Sequence, residues 1–239
     1  MDRRALLLFV EGEGDEHAVP VLVKKLLSEA NAWEEVSLDE HVFRVHGVEN
    51  LTGRKATNWI RFLKAAVKRS RVGGILAVLD GDRAKVVNAT TGVQEPFCAA
   101  DVARRLAAEA RSAGGGSTFS VACVFARQEY ESWLLAGIES LRGKALSDGR
   151  PGVRADAEFA PRNTDEAPRG AKGELSRLMT NAYKATTDQA ELTRLVTLES
   201  IRQANSRSFA RLEHAVAQLC EALRTGKPVV TPAPTVSQA

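Results

Sequence analysis

The stretch VLDGDRA, residues 78–84, places Asp80 and Asp82 on either side of a glycine at the end of an apolar run. Asp-Gly is ordinary turn chemistry, but a turn needs one aspartate rather than two. The alternative is a pair of oxygen ligands for a divalent cation. Comparable acids follow two other apolar runs. Ala5–Val10 leads into Glu11, with Glu13, Asp15 and Glu16 behind it, and 119–125 leads to Glu129 and Glu131 in ARQEYESW. Like charges brought together raise one another's pKa values unless a cation neutralises them. Oxygen ligands without nearby Cys or His favour Mg²⁺ or Mn²⁺ over zinc. Such ions activate water and stabilise the charge of an in-line phosphoryl displacement. Plainer readings stand beside this one. Glu129 and Glu131 lie near a helix start, where the macrodipole favours acids, and Asp15 and Glu16 could simply begin the first helix.

For these acids to meet, the runs before them must be neighbouring strands. Strands are expected at 5–10, 42–46, 75–79 and 119–125, the continuous apolar pattern of strands buried on both faces. Between them, amphipathic helices are expected at 18–30, 58–71 and 101–113, with Gly73-Gly74 ending the second and AGGGS (113–117) the third. A helix follows at 130–138. This alternation predicts an α/β fold with a mainly parallel sheet flanked by helices. In such a sheet, ligands bind beyond the carboxyl ends of the strands. Residues 1–140 are read as that α/β domain. Residues 141–171, poor in apolar residues and rich in Gly, Pro, Asp and Arg, are read as a surface loop. Helices at 172–182, 188–196, 198–204 and 207–224 form a C-terminal extension packed on the same domain, and 226–239 reads as a disordered tail.

Composition sets limits. The chain has 239 residues, 44% hydrophobic and 26% charged, enough for one large domain with a substantial core. No apolar run approaches the roughly 18–20 residues of a membrane span. The start carries only six apolar residues before turning acidic and has no small-residue cleavage site, so it reads as a strand rather than a signal peptide. Cys98, Cys123 and Cys220 lack metal-ligand spacing and read as reduced residues of a cytoplasmic protein. His17 and His214 fall on expected helices. EGEGDEH matches neither phosphate-loop pattern, and its acids would repel phosphate. The net charge of +3 is too mild to argue for nucleic acid by itself. Arg54, Lys55, Arg61, Lys64, Lys68, Arg69 and Arg71 are clustered, either as a solvated helix face or as a phosphate-binding one.

FVEGEGDE after a first strand and VLDGD after a later one resemble the two signature motifs of the Toprim domain of topoisomerases, primases and OLD-type nucleases. In the C-terminal half, QEYESWLLA, APRGAKGEL, AYKATTDQAEL and SRSFARL resemble a Toprim-like family of uncharacterised bacterial proteins often encoded beside an AAA- or ABC-type ATPase. The resemblance implies that Glu11, Asp80 and Asp82 hold Mg²⁺ or Mn²⁺, with Glu11 also able to move a proton. It places Asp15, Glu129 and Glu131 beside them. It assigns Lys172 a catalytic position and Arg127, Arg207 and Ser208 polar positions suited to phosphate, as Arg54 and Lys55 are by their charge. The implied activity is metal-dependent cleavage of DNA or RNA, as the effector of an ATPase-coupled phage-defence system. Two alternatives remain open: a catalytically silent subunit of an ATPase partner, and a phosphatase or nucleotidyl transferase acting on small nucleotides. Nothing in the sequence marks Tyr130 or Tyr183 as a nucleophile.

Overall fold

Three runs, RALLLFV, VGGILAVLD and SVACVFA, carry apolar residues on both faces and become the centre of the sheet. They are β1 (Arg4–Val10), β3 (Val72–Asp80) and β6 (Ser120–Ala126). In the computed structural model, which describes residues 4–69, 71–83, 85–88, 91–159 and 170–233, they join β2 (Val36–Arg44) and β7 (Val230–Thr231) in a five-stranded sheet of order β2-β1-β3-β6-β7. Every pairing in it is parallel. A short antiparallel pair, β4 (Lys85–Val87) and β5 (Gln94–Pro96), stands apart after β3.

Strand alternation divides the core in two. Leu6, Leu8, Val10, Leu76, Val78 and Val124 face one layer, which contains α1 (Glu13–Glu29) and α8 (Arg207–Thr225). Leu7, Phe9, Ile75, Ala77, Val121 and Phe125 face the other, formed by α2 (Ala56–Ala66) and α3 (Ala99–Ala110). The chain passes from β1 to β2 through α1 on one face. It returns through α2 to β3, and through α3 to β6, on the other. The winding therefore reverses between β1 and β3, a point where α/β sheets open a crevice for ligands.

The C-terminal helices extend the first layer. α4 (Glu131–Ala136), α5 (Ala171–Leu178), α6 (Ala185–Leu195) and α7 (Leu198–Gln203) precede α8, and Leu135, Leu175, Leu192, Ile201 and Phe209 join the same core as α1.

Four sequence expectations change. Gly73-Gly74 does not end a helix but lies inside β3. A Cβ at Gly73 would stand 2.6 Å from Leu223 Cδ2 and 2.9 Å from Arg4 Cβ, so the glycine admits α8 against the sheet. β2 begins at Val36, six residues earlier than expected. Its polar VSLDEH segment is tolerated because it is an edge strand paired on one side only. In place of a disordered segment from residue 226, Val230–Thr231 pairs with Val121–Ala122 and completes the sheet edge; residues 234–239 lie outside the described residues. The segment 141–159 is tied down rather than looped out. Leu141, Leu146, Val153 and Ala157 are buried, Val153 bridges Met179, and Arg150 donates to the buried Asp188 at 2.9 Å. Its apolar residues are few but spaced to reach the core. Residues 160–169 of that expected loop lie outside the described residues.

Candidate metal and phosphate site

The acids at the ends of β1 and β3 meet at the reversal of the sheet. Glu11 Oε2 accepts the backbone N–H of Asp80 at 3.1 Å. Asp80 Oδ1 accepts the N–H of Tyr130 at 2.9 Å, tying the end of β3 to the turn that starts α4. Glu131, on the first turn of α4, is fully buried. Its Oε1 accepts from the Tyr183 hydroxyl at 2.8 Å, while its Oε2 has no hydrogen-bond partner. Asp15, on the first turn of α1, accepts from Gly12 N–H at 3.0 Å and from Gln189 Nε2 of α6 at 2.8 Å. A Cβ on Gly14 would lie 2.0 Å from Gln189 Oε1, so the second glycine of EGEG permits α6 to approach and hold Asp15.

Asp80 is the electrostatic centre. Burial, then the charges of Asp15, Glu11 and Glu131, hold its carboxyl well above the usual range, with Lys172 opposing. Burial raises Glu11 to about 7 against the pull of the Asp80 N–H and Arg83. Burial likewise raises Glu131 to about 7, with Lys172 and Tyr183 opposing. Burial pushes the phenols of Tyr130 and Tyr183 upward, which disfavours either as a nucleophile.

Two cations answer these acids. Lys172, at the start of α5, donates its backbone N–H to Glu129 Oε2 at 3.1 Å, and its ammonium lies 3.5 Å from Glu129 and 4.0 Å from Glu131. Burial opposes its charge, but Glu131, Asp80, Glu129 and Asp15 outweigh that and raise its pKa. Arg83 spans Glu49 at 2.9 Å, Glu11 at 3.6 Å and Asp82 at 3.8 Å. Asp82 is therefore not the twin of Asp80. Its side chain is 43% exposed and turns toward Arg83.

The donor chemistry fits a hard divalent ion: Asp80 is crowded by carboxylates, and Glu131 carries a buried oxygen that accepts no hydrogen bond. Among the described residues, however, no three His, Cys, Asp or Glu side chains are gathered as ligands of one ion. Lys172 holds the positive charge among these acids.

Beside this centre, where β3 and β6 end, lies a cleft of ≈ 380 Å³. Arg127 and Arg207, expected at phosphate, line it with Ser208, and so do Arg83 and Arg211. Arg127 follows β6 directly, and the left-handed φ of 66° at Gln128 turns the chain there. Lys55 is elsewhere: it is exposed and donates to Asn50 at 2.8 Å. The Arg54 side chain lies outside what the structure describes. Sequence reasoning missed Arg83, Arg211, Tyr183 and Gln189. Arg83 was readable as the residue after DGD, and Arg211 as one turn beyond Arg207. Tyr183 and Gln189 have no local signature, because only tertiary packing brings them to the acids.

The chain belongs to the family described as Domain of unknown function (DUF4276), whose family model matches residues 10–217. No curated protein and no solved structure matches it. Among the described residues no helix is long and apolar enough to cross a membrane.

Proposed function

We propose that the protein is a divalent-metal-dependent hydrolase of phosphodiesters in DNA or RNA. The observation that carries this reading is Asp80 at the β1/β3 reversal, raised in pKa by its burial and by Asp15, Glu11 and Glu131. Such crowding is unfavourable unless a cation relieves it, and it is a common mark of functional sites. Asp80 would hold Mg²⁺ or Mn²⁺, with Glu11 or Glu131 as its second protein ligand and water as the rest. The ion would supply a polarised phosphoryl oxygen and a water of lowered pKa. Glu11, near neutrality and beside Arg83, holds or releases a proton at its Oε1. Lys172 balances Glu129 and Glu131. Arg127 and Arg207 orient phosphate oxygens in the adjacent cleft.

The rival reading, a catalytically silent subunit that binds an ATPase partner, is favoured by one feature: Lys172 already neutralises these acids internally. Purified protein incubated with labelled DNA and RNA decides between them. Cleavage with Mn²⁺ or Mg²⁺ that stops in EDTA and in Asp80→Asn supports the hydrolase. The absence of both cleavage and a metal-induced melting shift would leave the silent subunit.

A further inference from the structure

We infer that the arginine-lined cleft is a subsite for one nucleotide with an unpaired base, so that the ligand is a single strand or a free nucleotide and not a duplex. The inference deepens the phosphodiester reading and rests on it only for the nucleic-acid class of the ligand.

The cleft is lined by two unlike sets of residues. One set is basic, Arg83, Arg127, Arg207 and Arg211, with one acid, Asp82, in the lining. Arg207 and Arg211 rise from the first turns of α8, a 19-residue helix whose N-terminus carries partial positive charge. The guanidinium groups of Arg127 and Arg211 form no ion pair among the described residues. The basic set suits a phosphate. The other set is apolar, Phe97, Phe125, Ala99, Ala100, Ala103 and Pro232, with the two phenylalanine rings edge-to-face at 5.7 Å. A phosphate ion alone makes no use of the apolar set, whereas a nucleobase covers apolar and aromatic surface with its flat face.

Size limits the choice further. A cleft of ≈ 380 Å³ lies at the small end of the range for organic ligands. It takes one nucleotide, and a base held in a duplex cannot leave its stack to enter without an unpairing cost. The cleft also shares Gly81 and Asp82 with the chain that leaves Asp80. A phosphate on the arginines is therefore held by a cleft that begins one residue after Asp80, while its base rests against the phenylalanines. Ala100 is exposed in the cleft lining at the start of α3, so a large side chain there fills the cleft without entering the core.

The test is equilibrium binding in EDTA of the nucleoside 5′-monophosphates, ribose 5-phosphate, inorganic phosphate, and an oligonucleotide as a single strand and as a duplex. At least one nucleoside monophosphate binds at least about tenfold tighter than ribose 5-phosphate, and the single strand binds at least about tenfold tighter than the duplex. A strand tighter than the mononucleotide identifies a polymer as the occupant, and equal affinities identify a free nucleotide. Ala100→Trp brings the nucleotide down to the affinity of ribose 5-phosphate while the melting temperature is kept. Equal binding of ribose 5-phosphate and every nucleotide, equal binding of duplex and single strand, or an Ala100→Trp protein that binds like wild type overturns the inference. Asp80→Asn keeps the preference for nucleotide over ribose 5-phosphate in EDTA. Loss of the hydrolase reading with base-dependent binding retained, or the reverse, is thus seen directly.

Discussion

The carboxylate of Glu11 accepts the backbone N–H of Asp80 at 3.1 Å, so the end of β1 is fastened to the end of β3 by an acid rather than by the sheet ladder. A charged side chain used this way must stay largely out of water, and its own ionisation is disfavoured as a result.

A pH dependence follows from that burial. In metal-free protein, Glu11 and Glu131 have folded pKa values of about 7 against 4.5 for the free side chain. A carboxyl with a raised folded pKa contributes stability that is present below pH 4.5 and lost as pH rises to about 7. Unfolding free energies from urea titrations in EDTA should therefore fall across this window, by about 1–3 kcal/mol per group at most, and the urea midpoints with them. Glu11→Gln and Glu131→Gln each flatten the slope. A midpoint that climbs between these pH values contradicts the burial of both acids.

Lys172 supplies the opposite charge. Its side chain is 48% exposed, so solvent screens part of its attraction to Glu131. Lys172→Met should destabilise by about 1 kcal/mol at pH 8, where Glu131 is left ionised and buried, and by much less at pH 5.5, where Glu131 is neutral. Melting temperatures at the two values measure the difference. An equal loss at both would assign Lys172 a packing role only.

Gly14 makes a prediction about helix approach. A methyl group there meets Gln189 Oε1 at 2.0 Å and Ala185 at 3.0 Å. Gly14→Ala should cost about 1–3 kcal/mol by overpacking and pull Gln189 away from Asp15. Gln189→Ala combined with Gly14→Ala recovers part of the loss, because the closest clash is then absent. Strict additivity of the two changes would place the strain elsewhere.

These positions also show what a sequence can and cannot disclose. β1, β3 and β6 were legible because strands buried on both faces must be apolar throughout, and the acids at their ends follow from chain order alone. β2 was only half legible, since an edge strand tolerates the polar residues Ser37 and Asp39. Val230–Thr231 is too short to carry a period, and its place is set by the open edge of β6. At the site, Glu11 and Asp80 could be paired from their strands, but the divergence of Asp82 toward Arg83 depends on side-chain direction. Arg54 and Lys55 drew notice through local charge density. Arg83 and Arg211, scattered along the chain, are gathered only by the fold.

Salt dependence separates those two basic groups. Each phosphate contact released on a single strand lowers the slope of log affinity against log salt by about 0.7. Arg127→Ala and Arg211→Ala should each reduce the slope by about that amount. Arg61 and Lys64, exposed on α2, and Lys68, exposed just after it, lie outside the cleft and should leave it unchanged when all three become alanine. A reduced slope in the α2 triple variant would move the binding face to that helix.

Asp80 and Asp82 should part company under substitution, although they flank a single glycine. Asp80→Asn keeps an oxygen to accept the Tyr130 N–H while removing a charge crowded by Asp15, Glu11 and Glu131. In EDTA at pH 8 it should melt higher than wild type, by about 1 kcal/mol or more. Asp82→Asn removes only an exposed charge 3.8 Å from Arg83 and should stay within about 0.5 kcal/mol of wild type. With Mn²⁺ added the order changes. Wild type gains about 2.7 kcal/mol at a hundredfold excess over Kd, Asp80→Asn gains nothing, and Asp82→Asn keeps most of the gain. Asp80→Asn melting lower than wild type in EDTA, with no Mn²⁺ shift in wild type, would reduce Asp80 to a clasp between β3 and α4 and remove the ground for a metal at this site. Equal loss of the Mn²⁺ shift in both variants would instead bring Asp82 back into the ion's ligand set, against the orientation it has beside Arg83.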